Sequence, residues 1–83
     1  MLVRSAGTGG RPPRPGFGWD SLTDIELEIA DLVAQGLSNR QIAARIYRSR
    51  FTVDYHLRHI FQRLSISGRV QLTRIVFERE LAA

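Results

Sequence analysis

The sequence predicts an all-α domain: a four-helix bundle that contains a helix-turn-helix, preceded by a flexible N-terminal tail. Three observations predict it. From Leu22 onward, apolar residues recur three and four positions apart, the period of a helix, and do not alternate as in a strand. Two helix-start signatures, Thr23-Asp24-Ile25-Glu26 and Ser38-Asn39-Arg40-Gln41, have the form of capping boxes. After the second comes a short helical stretch, a tight connection and a longer helix.

Residues 1–19 are expected to be a flexible tail or linker, and 20–83 the folded domain. The tail is dominated by GTGG and RPPRPG, which cannot bury enough apolar area to offset the entropy of ordering. Its glycines do not form a phosphate loop, because no Gly-Lys-Ser/Thr follows them. The first helix is expected over about 24–35. Thr23 caps it, Leu22 and Leu27 staple its start, and Asp24, Glu26 and Glu28 sit on the positive end of its dipole. Ile25, Ile29, Leu32 and Val33 make its apolar stripe, its acidic run a solvated face, and Gly36 its stop. The second helix runs over roughly 39–46, with Leu37 and Ile42 as its staple. Residues 47–49 form the turn, and Ser49 caps a third helix over about 50–64. On that helix Val53, Leu57, Ile60 and Leu64 share one face. Phe51, Tyr55, Arg58 and Gln62 share the opposite face, flanked by Asp54 and His59. A fourth helix, about 69–80, carries apolar residues spread too widely for one face. Val70, Val76 and Phe77 are therefore expected to form a second buried surface, a contact between two copies of the chain.

Charge and composition narrow the function classes. The chain has 83 residues, 43% hydrophobic, with no Cys, so a disulfide scaffold, a Cys-ligated zinc site and a thiol nucleophile are excluded. No apolar run nears the ~20 residues that a membrane span needs, and residues 1–20, without an apolar stretch behind Arg4, are not expected to act as a secretory signal. A cytoplasmic setting is the expectation. The net charge is +4, and all 12 basic residues are Arg. Residues 22–35 hold four carboxylates and no base, whereas 36–74 hold eight Arg against one Asp. Such concentration is the electrostatic footprint of nucleic-acid binding. No nucleophile–base constellation is present, so no enzyme is expected, and no cofactor. His56 and His59 lack a third metal ligand, and His56 reads as a packed, hydrogen-bonded histidine.

The stretch from Leu22 to Leu72 resembles the LuxR/GerE-type DNA-binding domain. The resemblance rests on Leu22-Thr23 with Glu26, Gly36-Leu37-Ser38-Asn39, Ile42-Ala43, Thr52-Val53 with His56-Leu57, Ile60, Arg63-Leu64 and Arg69. Gly18-Trp19 and Ser21 are similar to the lead-in found where this domain closes large multidomain regulators, which implies the C-terminal domain of a larger transcriptional regulator. The resemblance implies a module that binds double-stranded DNA as a homodimer, with the third helix in the major groove. RNA polymerase is a further expected partner. Three positions depart from the family pattern: Ile25 where Arg is usual, Phe51 where Lys or Arg is common, and Ser65 where Gly usually ends the third helix.

Site expectations follow. Arg58, in the middle of the outer face, is expected to take guanine O6 and N7 together. Asp54 and Tyr55 occupy the family's other base-reading positions. Asp54 would accept from cytosine N4 or repel wrong sites. Tyr55 would pack on a thymine methyl or bond a phosphate. Asn39, Arg40, Arg48, Arg50 and Thr52, at helix starts and around the turn, are expected at phosphates; Thr52 would also cap. A reader like sigma-factor region 4 shares the motif. The rival from another class is a helical protein-docking or dimerisation module without strong DNA binding, favoured by the breadth of the fourth helix and by Phe51.

Overall fold

A computed structural model describes residues 16–82. Its elements are a single 3-10 turn at Trp19–Ser21 followed by α1 (Asp24–Ala34), α2 (Asn39–Ile46), α3 (Arg50–Leu64) and α4 (Arg69–Ala82). No strand occurs among the described residues, and no helix there is long and apolar enough to cross a membrane. Positions 1–15 of the expected tail lie outside the described residues. Trp19, counted with the tail by the sequence, packs partly buried against the core, with the Arg79 guanidinium 4.8 Å from the ring centre.

The helix starts are made by side chains. Thr23 Oγ1 accepts from the Glu26 amide at 3.3 Å, and Glu26 Oε1 accepts from the Thr23 amide at 3.0 Å. Ser38 and Gln41 repeat the reciprocal box at the start of α2. Ser49 Oγ accepts from the Thr52 amide at 3.1 Å and caps α3. These bonds satisfy amides that have no partner within their own helix.

Three helices end on one left-handed residue each: Gly36 (φ 91°), Tyr47 (φ 58°) and Ser65 (φ 56°). After α1, the Gly36 amide donates to Val33 O and the Leu37 amide to Leu32 O. After α3, the Ser65 amide donates to Gln62 O and the Ile66 amide to Phe61 O. Both are Schellman closures. The sequence foresees Gly36 and Ser65. It gives no sign of Tyr47, which turns the chain between α2 and α3 at the same steric cost.

The core sits where α1 packs against α4 and α3, with α2 closing on α3. Its fully buried side chains include Leu22, Ile29, Ile42, Val53, Ile60 and Leu72. Ile25, expected on the buried stripe of α1, is only half-buried, and Glu26 takes a core position beside it. On α4 the inward positions are Leu72 and Val76. Val76 corrects the expected dimer surface: it is 6% exposed and belongs to the core, because it lies one helical turn after Leu72. Val70 and Phe77 do remain exposed, and Leu81 joins them on the same side of α4.

Candidate nucleic-acid interface

The 3.6-residue period splits α3 into two faces. Val53, Leu57 and Ile60 are buried, which orients the helix. Phe51, Tyr55, Arg58 and Gln62 are all exposed, in a stripe that runs the length of the helix on the other side. Two aromatics occupy its N-terminal half, an Arg and a Gln its C-terminal half. The Tyr55 ring lies 4.5 Å from that of His59, and the Arg50 guanidinium lies 5.6 Å from the centre of the Phe51 ring.

Arginines precede this stripe along the helix-turn-helix. Arg40 is in the first turn of α2, Arg45 in its last, Arg48 in the turn, and Arg50 opens α3. These four and Arg58 are exposed, and none pairs with a described carboxylate. The α2 and α3 amino ends also carry the positive pole of their helix dipoles. Thr52 is half-buried, its hydroxyl 3.1 Å from that of Ser49, so it is part of the cap. The site therefore combines exposed cations with helix-start amide donors beside an exposed helix face, the arrangement that phosphate oxygens and base edges require.

Two expected contact residues are engaged elsewhere. Asn39 Nδ2 donates to Asp54 Oδ1, Arg69 Nη1 donates to Asn39 Oδ1, and Arg69 Nη2 donates to the Leu37 carbonyl. Asn39 and Asp54 are both half-buried. The Asn39 carbonyl oxygen and one of its two Nδ2 hydrogens are occupied, which leaves the second Nδ2 hydrogen and the backbone N–H for any phosphate contact at that position. Asp54 is drawn off the outer stripe into a chain of bonds that joins the starts of α2 and α4 to the first half of α3. Sequence reasoning missed this because Arg69 is thirty residues from Asn39.

A second missed feature is a buried ion pair. Glu26 is 3% exposed, and its Oε1 lies 2.6 Å from Arg63 Nη1. Arg63 Nη1 also lies 3.4 Å from the Ser21 carbonyl, and the Gly18 amide donates to the Arg63 carbonyl at 2.7 Å. Asp24, Glu28 and Asp31 are exposed as the solvated-face reading expects; Glu26 is the exception. The usable signal was its spacing from Ile29, Ala30 and Val33, the i, i+3, i+4, i+7 pattern of a core stripe. Arg63 therefore holds the fold and does not face a ligand. His56 is packed as expected, but its Nδ1 is buried without a hydrogen-bond partner, 3.7 Å from Glu26 Oε2.

A helix-turn-helix whose second helix presents an exposed, arginine-flanked face defines a DNA-binding domain. The chain belongs to the family described as bacterial regulatory proteins, luxR family, which it matches over residues 20–76. Its relatives include an HTH-type transcriptional regulator of Mycobacterium tuberculosis, 46% identical over 63 residues that cover 76% of this chain and 7% of that protein. A nitrate/nitrite response regulator homolog of Haemophilus influenzae is 43% identical over 60 residues, covering 72% and 29%. The nitrate/nitrite response regulator NarP of Escherichia coli is 38% identical over 58 residues, covering 70% and 27%. The chain thus spans less than a third of the length of each of these relatives. It is a DNA-binding helix-turn-helix domain of transcriptional regulation.

Proposed function

We propose that the domain binds double-stranded DNA sequence-specifically, with α3 in the major groove. The observation that carries this reading is the exposed stripe of Phe51, Tyr55, Arg58 and Gln62 on a helix whose other side is locked into the core. Arg58 meets a guanine edge and Tyr55 an adjacent base or phosphate. Asp54 has its carboxylate engaged by Asn39, so its part in reading is to hold α3 at a fixed angle to α2. Arg40, Arg48 and Arg50, the Thr52 hydroxyl and the amide of Asn39 meet the phosphates on either side. The setting is the cytoplasm, and the domain acts as a binding module and not as an enzyme.

Two copies bind together on DNA through α4. Support for this comes from Val70, Phe77 and Leu81, exposed apolar residues that fall on one side of the helix at i, i+7 and i+11. RNA polymerase, as the remaining partner, would meet a surface left open by DNA and the second copy. The same α4 stripe also favours the second reading, a dimerisation or docking module without strong DNA binding. Selection of bound duplexes from a random pool tests both. Recovery of one sequence, with binding that falls steeply as salt rises, supports the first. Binding to no duplex at low salt, with dimers in solution, supports the second.

A further inference from the structure

We propose that Phe51 is a specificity residue that reads the C5-methyl group of a thymine. This inference rests on the reading that α3 enters the major groove. Phe51 is 73% exposed at the second position of α3, at the amino-terminal end of the outer stripe. An aromatic ring standing in water at that point is an uncovered apolar surface, and no described core residue packs over it. Its chemistry excludes a phosphate contact, since a phenyl ring has no hydrogen-bond donor and no charge. Its surroundings nevertheless fit a polyanion: Arg48 and Arg50, just before it in sequence, are exposed, and the Arg50 guanidinium lies 5.6 Å from the ring centre. The occupant must therefore combine phosphates at its rim with an apolar spot in its middle.

Duplex DNA offers one such spot. Among the groups in the floor of the major groove, only the thymine methyl is apolar. Tyr55, one turn further along the stripe and also exposed, extends the same aromatic edge toward Arg58. Phe51 and Arg58 are seven residues apart, about 10 Å along the helix axis. With α3 lying along the groove, this spans about three base-pair steps. The site read by one copy thus has a thymine about three steps from the guanine that Arg58 takes. Arg50, leaning on the Phe51 ring, is held at the groove mouth where the flanking phosphate lies.

The test replaces each thymine of the duplex selected by the wild-type chain with deoxyuridine, which removes only the methyl group. Affinity is then measured for the wild type, Phe51→Ala and Phe51→Arg. At one thymine per half-site the wild type should lose about fourfold in affinity, the ratio expected for one buried methyl. In Phe51→Ala that ratio should fall to one. Phe51→Arg should also abolish it, bind every duplex more tightly and steepen the salt dependence by about one counterion. The proposal is overturned if no deoxyuridine matters to the wild type, or if the ratio persists in Phe51→Ala. It is also overturned if Phe51→Ala alters self-association while leaving the ratio intact. These results leave α3 in the groove. Failure of the wild type to select any sequence would remove that reading and this inference with it.

Discussion

Removing the Arg63 side chain is expected to damage the fold out of proportion to its position on the outer half of α3. Arg63 reaches Glu26 at 2.6 Å across 37 residues of sequence, and its side chain is 31% exposed while Glu26 is nearly sealed. Arg63→Ala leaves the carboxylate buried with the Thr23 amide as its remaining close donor. Losing one member of a buried pair typically costs ~3–5 kcal/mol. Because the Arg63 side chain is 31% exposed and water can approach the space it leaves, the cost falls below that range, to ~2–3 kcal/mol. For a domain of this size each kcal/mol moves Tm by ~4–8 °C, so the fall should be about 10–20 °C. Glu26→Gln combined with Arg63→Met should regain most of this loss. Gln retains an oxygen for the Thr23 amide, and Met fills the space without a charge. Thermal and urea unfolding of the wild type, the single variant and the pair provide the measurement, with Arg74→Ala as an exposed-arginine control. If Arg63→Ala costs no more than Arg74→Ala, or if the pair is less stable than Arg63→Ala alone, the assignment of a structural role to the Glu26–Arg63 pair is wrong.

Other perturbations separate the remaining roles. Arg58→Ala should cost ~1–3 kcal/mol on a selected duplex and relax preference at one base pair, whereas Arg50→Ala should weaken all duplexes alike and lower the salt slope by about one; paired titrations with selected and random duplex over several salt concentrations distinguish them. Ser65→Gly should raise stability by up to ~1 kcal/mol, since φ is 56° there, and Tyr47→Gly should do the same at the turn; an unchanged or lowered Tm would show that these side chains supply more than the conformation costs. Val70→Glu should abolish cooperative binding to paired half-sites and leave the circular dichroism spectrum unaltered; retained cooperativity moves the contact between copies off α4.

The Asn39–Asp54–Arg69 chain bears on how α3 is presented. In a helix-turn-helix the angle between the two helices decides whether the second can enter a groove while the first meets the backbone. Here the start of α2 is tied to α3 by Asp54 and to α4 by Arg69, so α3 is held at its first half to a segment that is itself anchored on α4. A side chain on the edge of the outer face thereby serves the geometry of its neighbours Tyr55 and Arg58.

What the sequence determined by itself is local, with the left-handed Tyr47 as the exception. Capping boxes at Thr23 and Ser38, the cap at Ser49 and the stop at Gly36 set where helices begin and end, because their hydrogen bonds join residues three to five apart. The buried and exposed faces of α3 followed from its period, since a helix with Val53, Leu57 and Ile60 inward must turn Phe51, Tyr55 and Arg58 outward. Ser65 was legible through the resemblance alone, as a serine where the family pattern ends the third helix on glycine. The tertiary structure alone decided which charges are free. Whether Arg63 faces solvent or Glu26, and whether Asn39 faces a phosphate or Asp54, depends on helices that meet only after the chain has folded. Val76 is the same case for an apolar side chain: the pattern on α4 offers more hydrophobic surface than one face needs, and contact with α1 selects which part of it is core. Local bonds are specified by spacing along the chain, whereas desolvation is specified by what the other helices cover.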